Sequence, residues 1–152
     1  LHPEIRHAYH AMSIDEKRRK FPVTLWDESK RTEGQTIEQV WFPGVHSDVG
    51  GSYPECGLSD GSLKWMLTRC EAAGLKLKDG WRDRIHPNPE DKASQHESRA
   101  GFWKIWPKVR RSIPAGSRIH ESVIRRKDAG VGYDPVNLPA EYTVVSDEIP
   151  DS

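Results

Sequence analysis

A short run of β-branched and aromatic residues constrains the fold of this chain more than any other feature. Residues 36–42 (TIEQVWF) are followed at once by Pro43 and Gly44, and this composition predicts a buried or half-buried strand that ends there. The loop after it places His46 and Asp48 among small, flexible residues. Because catalytic groups of open α/β sheets lie at the carboxyl ends of the strands, this loop is a candidate site.

Two helices are predicted from the spacing of apolar residues. The first lies near the amino terminus, where the i, i+3, i+4, i+7 pattern of one helix face is formed by Ile5, Ala8, Tyr9 and Met12. The second has Ser59 or Asp60 as its N-cap and Gly74 at its carboxyl-terminal cap. Its predicted apolar stripe is formed by Leu63, Met66, Leu67 and Cys70.

The second half of the chain is less regular. From residue 76 onward, prolines and charged residues interrupt the pattern, which predicts irregular segments with at most two short helices. A brief strand is predicted around residues 142–145, and residues 146–152 are predicted to form a flexible tail.

The charge balance gives no support to a nucleic-acid-binding protein. The 152 residues contain 23 Lys+Arg and 23 Asp+Glu, for a formal net charge of zero. Residues 108–111 (KVRR) lie close to Trp103 and Trp106, which suggests either a patch for phospholipid head groups or nucleic acid, or a mixed-charge surface over buried tryptophans. The interspersed acidic residues favour the second interpretation.

No membrane span or targeting segment is predicted. The longest apolar stretches, such as residues 40–42, hold only a few residues, whereas a transmembrane helix needs about 20. No basic-then-apolar leader is visible, so cytoplasmic location and secretion by a leaderless route both stay open. Cys56 and Cys70 belong to no Cys-x-x-Cys pair, which favours unpaired thiols.

His46 is the first candidate catalytic residue. A histidine in a Gly-rich turn after a strand can present one ring nitrogen to a nucleophile while a carboxylate orients the other. The alternative is a turn histidine that caps local backbone groups, with Asp48 in an Asx-turn and Gly50 and Gly51 at positive φ.

Asp15 is the second candidate catalytic residue. The alternative is that it is a solvated or salt-bridged surface carboxylate.

No metal site is predicted. His7 and His10 could share a helix face, but no Cys cluster or His-Glu-x-x-His spacing accompanies them. The sequence contains no Gly-x-Ser-x-Gly nucleophile elbow and no Gly-x-x-x-x-Gly-Lys phosphate loop.

Residues 39–54 (QVWFPGVHSDVGGSYP) resemble the signature of an uncharacterised α/β-hydrolase family whose best-known members are the type VI secretion phospholipase effectors. Flanking pieces resemble the family in the same order, and the resemblance spans nearly the whole chain. These pieces are residues 6–18 with Phe21, residues 58–60 with residues 63–66, residues 119–123 and residues 133–139.

The resemblance implies that residues 1–145 are the C-terminal part of an α/β-hydrolase domain, made of the last sheet strand, the following helix and an irregular Pro- and Trp-rich extension. It also implies ester hydrolysis of lipase or phospholipase type by a serine nucleophile, with His46 as the base. Because such hydrolases have the chain order Ser, acid, His, the nucleophile is expected upstream of Leu1. Asp15 is the candidate acid within this chain, no cofactor is expected, and the substrate is a lipid or another ester.

The expected truncation has consequences for activity and stability. The isolated chain should be inactive, and the apolar faces of residues 40–42 should be exposed, which would make it marginally stable or aggregation-prone. The alternative function is a non-catalytic interaction module that keeps the hydrolase-like scaffold, or a truncated remnant. In that case Trp81, Trp103 and Trp106 would form a lipid- or partner-facing cap with peripheral membrane contact.

Overall fold

A four-stranded parallel sheet organises the chain. The computed structural model describes residues 1–92, 95–99 and 101–149. Its strands are β1 (His7–Ser13), β2 (Thr36–Phe42), β3 (Ser117–His120) and β4 (Tyr142–Val145). They lie in the order β1-β2-β3-β4, and each pairs in parallel with the next. The fold is therefore of the α/β class that the sequence predicts.

Helices connect the later strands, as parallel pairing requires, because the chain must return to the starting end of the sheet. Between β2 and β3 lie α1 (His46–Gly50) and α2 (Ser59–Ala72), and between β3 and β4 lies α3 (Glu121–Asp128). Short 3-10 turns occupy Glu28–Lys30, Trp81–Arg84 and Gly101–Ile105. Within the described ranges, no helix combines the length and the apolar character needed to cross a bilayer.

Strand β2 is confirmed with the bounds that the sequence predicts, and so is β4 at residues 142–145. Val40, Trp41 and Phe42 are at most 1% exposed, so the expectation that their apolar faces would be exposed is wrong. The reason is that both faces of β2 are covered, one by α1 and α2 and the other by α3 and the coil that follows it.

The core lies on both faces of the sheet, as the period of two along a strand requires. One face packs beneath α3 and the coil that follows it, through Met12, Ile14, Trp41, Ile113, Ile119, Val123 and Tyr133. The opposite face is covered by α1 and α2, through Val40, Phe42, Val49 and Trp65. Neighbouring β2 residues therefore alternate between the two cores.

The predicted amino-terminal helix is wrong, because residues 7–13 form β1. Ala8 and Met12 are four positions apart, a spacing that fits one face of a helix and equally one face of a strand. Pairing with β2 decides between the two structures, since Ala8 lies opposite Ile37 and Met12 lies opposite Trp41. Tertiary pairing has overridden a local pattern that fits both structures.

The interpretation of residues 36–42 as the last sheet strand is also wrong, because β3 and β4 follow it. The short length of β3 explains why it was not predicted. β3 has only four residues and runs directly into α3, so it lacks the alternating pattern by which a longer strand is predicted.

Helix α2 is confirmed, although its buried face differs from the predicted stripe. Leu63 in that stripe is 45% exposed, whereas the buried residues of the helix are Gly61, Ser62, Trp65 and Arg69. The helix begins at Ser59 with Leu58 as its N-cap, and Gly74 lies just beyond the C-cap Ala73 at φ 95°. Leu63 and Met66 of the predicted stripe line a cleft, and Met66 also packs against the core.

The start of the predicted tail contacts the body of the protein. The Arg69 guanidinium donates hydrogen bonds to the backbone oxygens of Ser146 and Asp147, and Lys64 Nζ lies 3.0 Å from Asp147 Oδ2. The division into a domain over residues 1–145 and a tail over 146–152 stays a prediction.

Candidate active site

The turn after β2 is shaped by Gly44 and Asp48. Gly44 has φ 102°, and a Cβ placed there would lie 2.6 Å from the Asp48 Cβ, so glycine is required on two grounds. The Asp48 carboxylate is fully buried and its Oδ2 accepts a hydrogen bond of 2.9 Å from the Val45 backbone N–H. Asp48 therefore closes the turn that presents His46.

His46 is the first residue of α1 and is exposed. Its backbone N–H donates to Glu16 Oε2 at 3.2 Å, and its ring centroid lies 5.5 Å from that of Phe21. Within the described residues, its ring nitrogens make no hydrogen bond. The backbone is thus fixed while the imidazole nitrogens are left free for another group.

The His46 ring borders a cleft of about 610 Å³. One wall is β1 from Tyr9 to Ser13, and another is the stripe of α2 that carries Leu63 and Met66. Since β1 is an edge strand, its outer side pairs with no strand in the part of the chain that the structure describes. The cleft therefore runs along an open sheet edge and is lined largely by apolar side chains.

Asp15, the second predicted site residue, lies beneath the turn. Its Oδ2 accepts hydrogen bonds from the Gly44 backbone N–H at 2.7 Å and from the Tyr133 hydroxyl at 2.9 Å. Burial raises the pKa of Asp15 above its usual value, and the hydrogen bonds from Gly44 and Tyr133 only partly offset this. No hydrogen bond joins Asp15 to the His46 ring among the described residues.

The Glu16 carboxylate holds the backbone of His46 through a hydrogen bond. Its carboxylate accepts two hydrogen bonds from the Arg18 guanidinium, at 3.0 Å and 2.8 Å, and another from the Arg18 backbone N–H. Burial works to raise the pKa of Glu16, but the bonds from Arg18 and the His46 N–H outweigh it and hold the pKa at about 2. The Arg18 guanidinium also lies 3.8 Å from the Phe21 ring centroid.

Arg111 is a site residue that the sequence pattern does not reveal. Its guanidinium donates to the backbone oxygen and hydroxyl of Ser13, and to the backbone oxygen of Phe21. Burial lowers the pKa of Arg111 from its ordinary high value. Because it lies 98 positions from Ser13 in the sequence, no local spacing could have indicated this contact.

His96 and His120 lie beside carboxylates within the described part of the fold. His96 Nδ1 lies 2.7 Å from Asp48 Oδ1, and the His96 ring stacks on Tyr53 with the centroids 3.6 Å apart. His96 therefore supports the turn from outside, and since the stacked Tyr53 covers its ring, it is less available to a substrate than His46.

The second pair lies at the carboxyl ends of β3 and β4. His120 Nε2 lies 3.2 Å from Asp147 Oδ1, and Nδ1 accepts from the Ser122 backbone N–H at 3.3 Å. His120, Glu121 and Asp147 place donor atoms within 4.8 Å of one another and could hold a metal ion. His120 Nδ1 also lies 2.8 Å from the Ser122 hydroxyl, so both ring nitrogens of His120 have partners within the protein.

The fold and the site together define an α/β protein with an exposed histidine directly after an inner strand of a parallel sheet. Residues 1–69 match the model of the family described as T6SS, phospholipase effector Tle1-like, catalytic domain. The matched part includes β1, β2 and the His46 turn.

A yeast protein gives a second comparison. The uncharacterized protein YEL023C of Saccharomyces cerevisiae is 39% identical over 75 residues, which cover 46% of this chain and 10% of the yeast protein. The matching region thus spans about a tenth of the length of that relative. No solved structure gives a significant match.

Proposed function

We propose that this chain supplies His46 as the general base of a serine ester hydrolase of lipase or phospholipase type. The observation that carries the proposal is the His46 ring, which is exposed beside an apolar cleft and makes no hydrogen bond among the described residues. The family match supports the same chemistry, because the matched part contains this histidine and the family is described as a phospholipase effector catalytic domain.

The proposed reaction is acyl transfer through a serine that lies outside these 152 residues, since the sequence holds no Gly-x-Ser-x-Gly elbow. His46 takes the serine proton as the serine oxygen bonds to the ester carbonyl carbon, and then gives that proton to the leaving alcohol. In the second step, His46 takes a proton from water as the water oxygen bonds to the acyl carbon. The bond from that carbon to the serine oxygen then breaks, and His46 returns the proton to the serine oxygen, which releases the carboxylic acid and restores the serine hydroxyl without a cofactor.

The open edge of β1 supports a nucleophile that is contributed by another segment. Carboxyl ends of parallel strands meet at one side of a sheet, so a further strand beside β1 would end near Ser13. Ser13 and His46 line the same cleft. A serine at the end of such a strand would therefore lie within the same cleft as the His46 ring.

We assign Asp15 a positioning role instead of the role of triad acid. Its carboxylate is occupied by Gly44 and Tyr133 and holds the turn from which His46 projects. Glu16 does the same for the His46 backbone. The carboxylate that orients the His46 ring is then expected, like the serine, outside these residues.

The test uses the protein encoded by the complete reading frame, with any residues before Leu1. Its hydrolysis of a soluble short-chain ester is compared with that of His46→Ala and of the control His86→Ala, which removes another exposed histidine. We expect His46→Ala to lower kcat/KM by about a thousandfold or more, and His86→Ala to have no effect. Labelling by a fluorophosphonate, which reacts with activated serines, should fall in the same variant.

Two results would overturn the proposal. One is turnover that is indifferent to His46→Ala. The other is a complete reading frame without an elbow serine and a protein without fluorophosphonate labelling, which would favour the non-catalytic interaction module.

A further inference from the structure

An exposed apolar surface lies next to the proposed active site. It consists of Phe102, Ile105, Trp106 and Val109, which are 69%, 75%, 37% and 41% exposed, and is called the 102–109 patch below. The prediction that the tryptophans of this region are buried is thus wrong for Trp106. Large apolar side chains that lie so close together in sequence are unusual on a free surface and mark interaction sites.

Basic side chains surround the patch. Arg19, Lys20, Lys104 and Lys108 are exposed and form no salt bridge within the described residues, although the charge of Lys108 helps to lower the pKa of Glu97, which pairs with Lys17. Lys20 Nζ lies 4.5 Å from the ring centroid of Trp106, so apolar and cationic groups are in direct contact. Although the whole chain has no net charge, this surface is locally positive.

The patch is joined to the His46 site through two aromatic residues, Trp103 and Phe21, and the ring centroid of Trp103 lies 6.3 Å from that of Phe102 in the patch. The ring centroid of Phe21 lies 5.6 Å from that of Trp103 and 5.5 Å from that of His46. A backbone hydrogen bond also joins the patch to the segment before Phe21, because the Val109 N–H donates to the Lys17 oxygen at 3.1 Å. The patch therefore packs against the same segment that contacts the His46 ring.

We propose that the 102–109 patch docks onto a lipid bilayer that carries anionic head groups. The exposed aromatic and aliphatic side chains would insert at the boundary between head groups and acyl chains, where tryptophan and phenylalanine are stable. The exposed lysines and arginine would bind the anionic head groups. Charge complementarity favours this partner, because anionic head groups would face the four cations while the apolar side chains enter the acyl boundary.

The inference rests on the proposed function for its biological meaning, since the patch would bring a lipid substrate to His46. Binding itself needs no catalysis, so it can be tested separately. The 152-residue chain is mixed with vesicles of phosphatidylcholine alone, and with vesicles that contain about one third phosphatidylglycerol. The bound fraction is measured by co-sedimentation at low and at high salt.

The expected result is binding to the anionic vesicles that is at least about tenfold stronger than binding to the neutral ones and that weakens with salt. The double variant Phe102→Ser with Ile105→Ser should weaken it by about tenfold or more, because two apolar side chains no longer enter the interface. The double variant Lys20→Gln with Lys104→Gln should weaken binding only to anionic vesicles.

The matched control is the double variant Leu75→Ser with Val136→Ser, which removes two apolar residues that are 53% and 68% exposed elsewhere. It should bind like the wild type. The proposal fails if the wild type binds neither vesicle, if the control loses as much binding as the patch variant, or if neutral and anionic vesicles bind equally.

A second assay separates this inference from the proposed function. In the complete protein, the Phe102→Ser and Ile105→Ser variant should hydrolyse a dissolved short-chain ester normally but lose about tenfold of its turnover on vesicle lipids. If vesicle binding depends on the patch and no ester is hydrolysed, the docking surface stands and the hydrolase proposal fails. If hydrolysis depends on His46 but vesicle binding does not depend on the patch, the hydrolase proposal stands and the docking proposal fails.

Discussion

The Tyr133 hydroxyl donates a hydrogen bond of 2.9 Å to Asp15 Oδ2, across 118 positions of sequence. The same carboxylate oxygen accepts the Gly44 N–H, so Tyr133 is linked through one atom to the turn that carries His46. Burial, followed by the charge of Asp15, raises the pKa of the Tyr133 hydroxyl, which keeps it a donor at every physiological pH. The last third of the chain thus supports a loop in the first third.

Removing this hydrogen bond should destabilise the protein. Tyr133→Phe leaves the ring in its core but takes one donor from a buried carboxylate, so we expect a loss of about 1 to 2 kcal/mol in the free energy of unfolding. Urea denaturation measures the change. Tyr142→Phe, which removes a hydroxyl from the partly exposed edge strand β4, serves as the control and should lie within about 0.5 kcal/mol of the wild type.

Gly44 should tolerate no side chain. Gly44→Ala meets both a positive φ and the Asp48 Cβ at 2.6 Å, and we expect it to cost about 3 kcal/mol or more in the free energy of unfolding. Gly34→Ala separates the two causes, because Gly34 has φ 75° but open space around it, and should cost only about 1 kcal/mol. Equal losses in the two variants would show that the contact with Asp48 is unimportant.

Glu16 should make stability depend on pH in a defined window. Its pKa is 4.5 as a free group and about 2 in the folded chain, so the folded state binds its proton less tightly than the unfolded state does. Its contribution is therefore fully present above pH 4.5 and is lost as the pH falls from 4.5 toward 2. The magnitude is on the order of 2 to 3 kcal/mol.

Glu16→Gln tests this dependence. The difference in unfolding free energy between wild type and variant should be largest near neutral pH and should shrink below pH 4.5. Glu33→Gln changes an exposed carboxylate and should follow the wild-type curve throughout. A Glu16→Gln curve that runs parallel to the wild type down to pH 2 would refute the linkage.

The elements that sequence reasoning found are those with a strong local pattern. β2 combines β-branched and aromatic residues with a Pro-Gly stop, and α2 ends at a glycine beyond its cap. The amino-terminal segment was open to error because Ala8 and Met12 share a face in either structure. The face of α2 was mispredicted because Leu63 of the apolar stripe is exposed at a cleft, while the buried Arg69 is satisfied by Glu38 and by backbone oxygens from residues 146 and 147.

The site residues also divide into those that a local sequence pattern predicts and those that only tertiary packing brings together. His46 and Asp48 are consecutive features of one loop, so the pattern alone makes them candidates. Tyr133 and Arg111 reach the site across 118 and 98 positions, and only the packed structure brings them there. The role of Asp15 depends on those distant partners, which explains why a carboxylate at a strand end could suggest an acid and yet lie under the turn.

Arg111 offers a test of how the cleft wall is held. Its planar guanidinium reaches the Ser13 oxygen, the Ser13 hydroxyl and the Phe21 oxygen together, and a lysine ammonium cannot span these acceptors. We expect Arg111→Lys to cost about 2 kcal/mol in the free energy of unfolding, because buried acceptors lose their donors. Arg110→Lys changes the exposed neighbour and should have no effect on urea denaturation. Since Phe21 also contacts the His46 ring, Arg111→Lys should in addition lower the ester hydrolysis proposed for the complete protein. A variant that unfolds and reacts like Arg110→Lys would show that this guanidinium does not hold the wall.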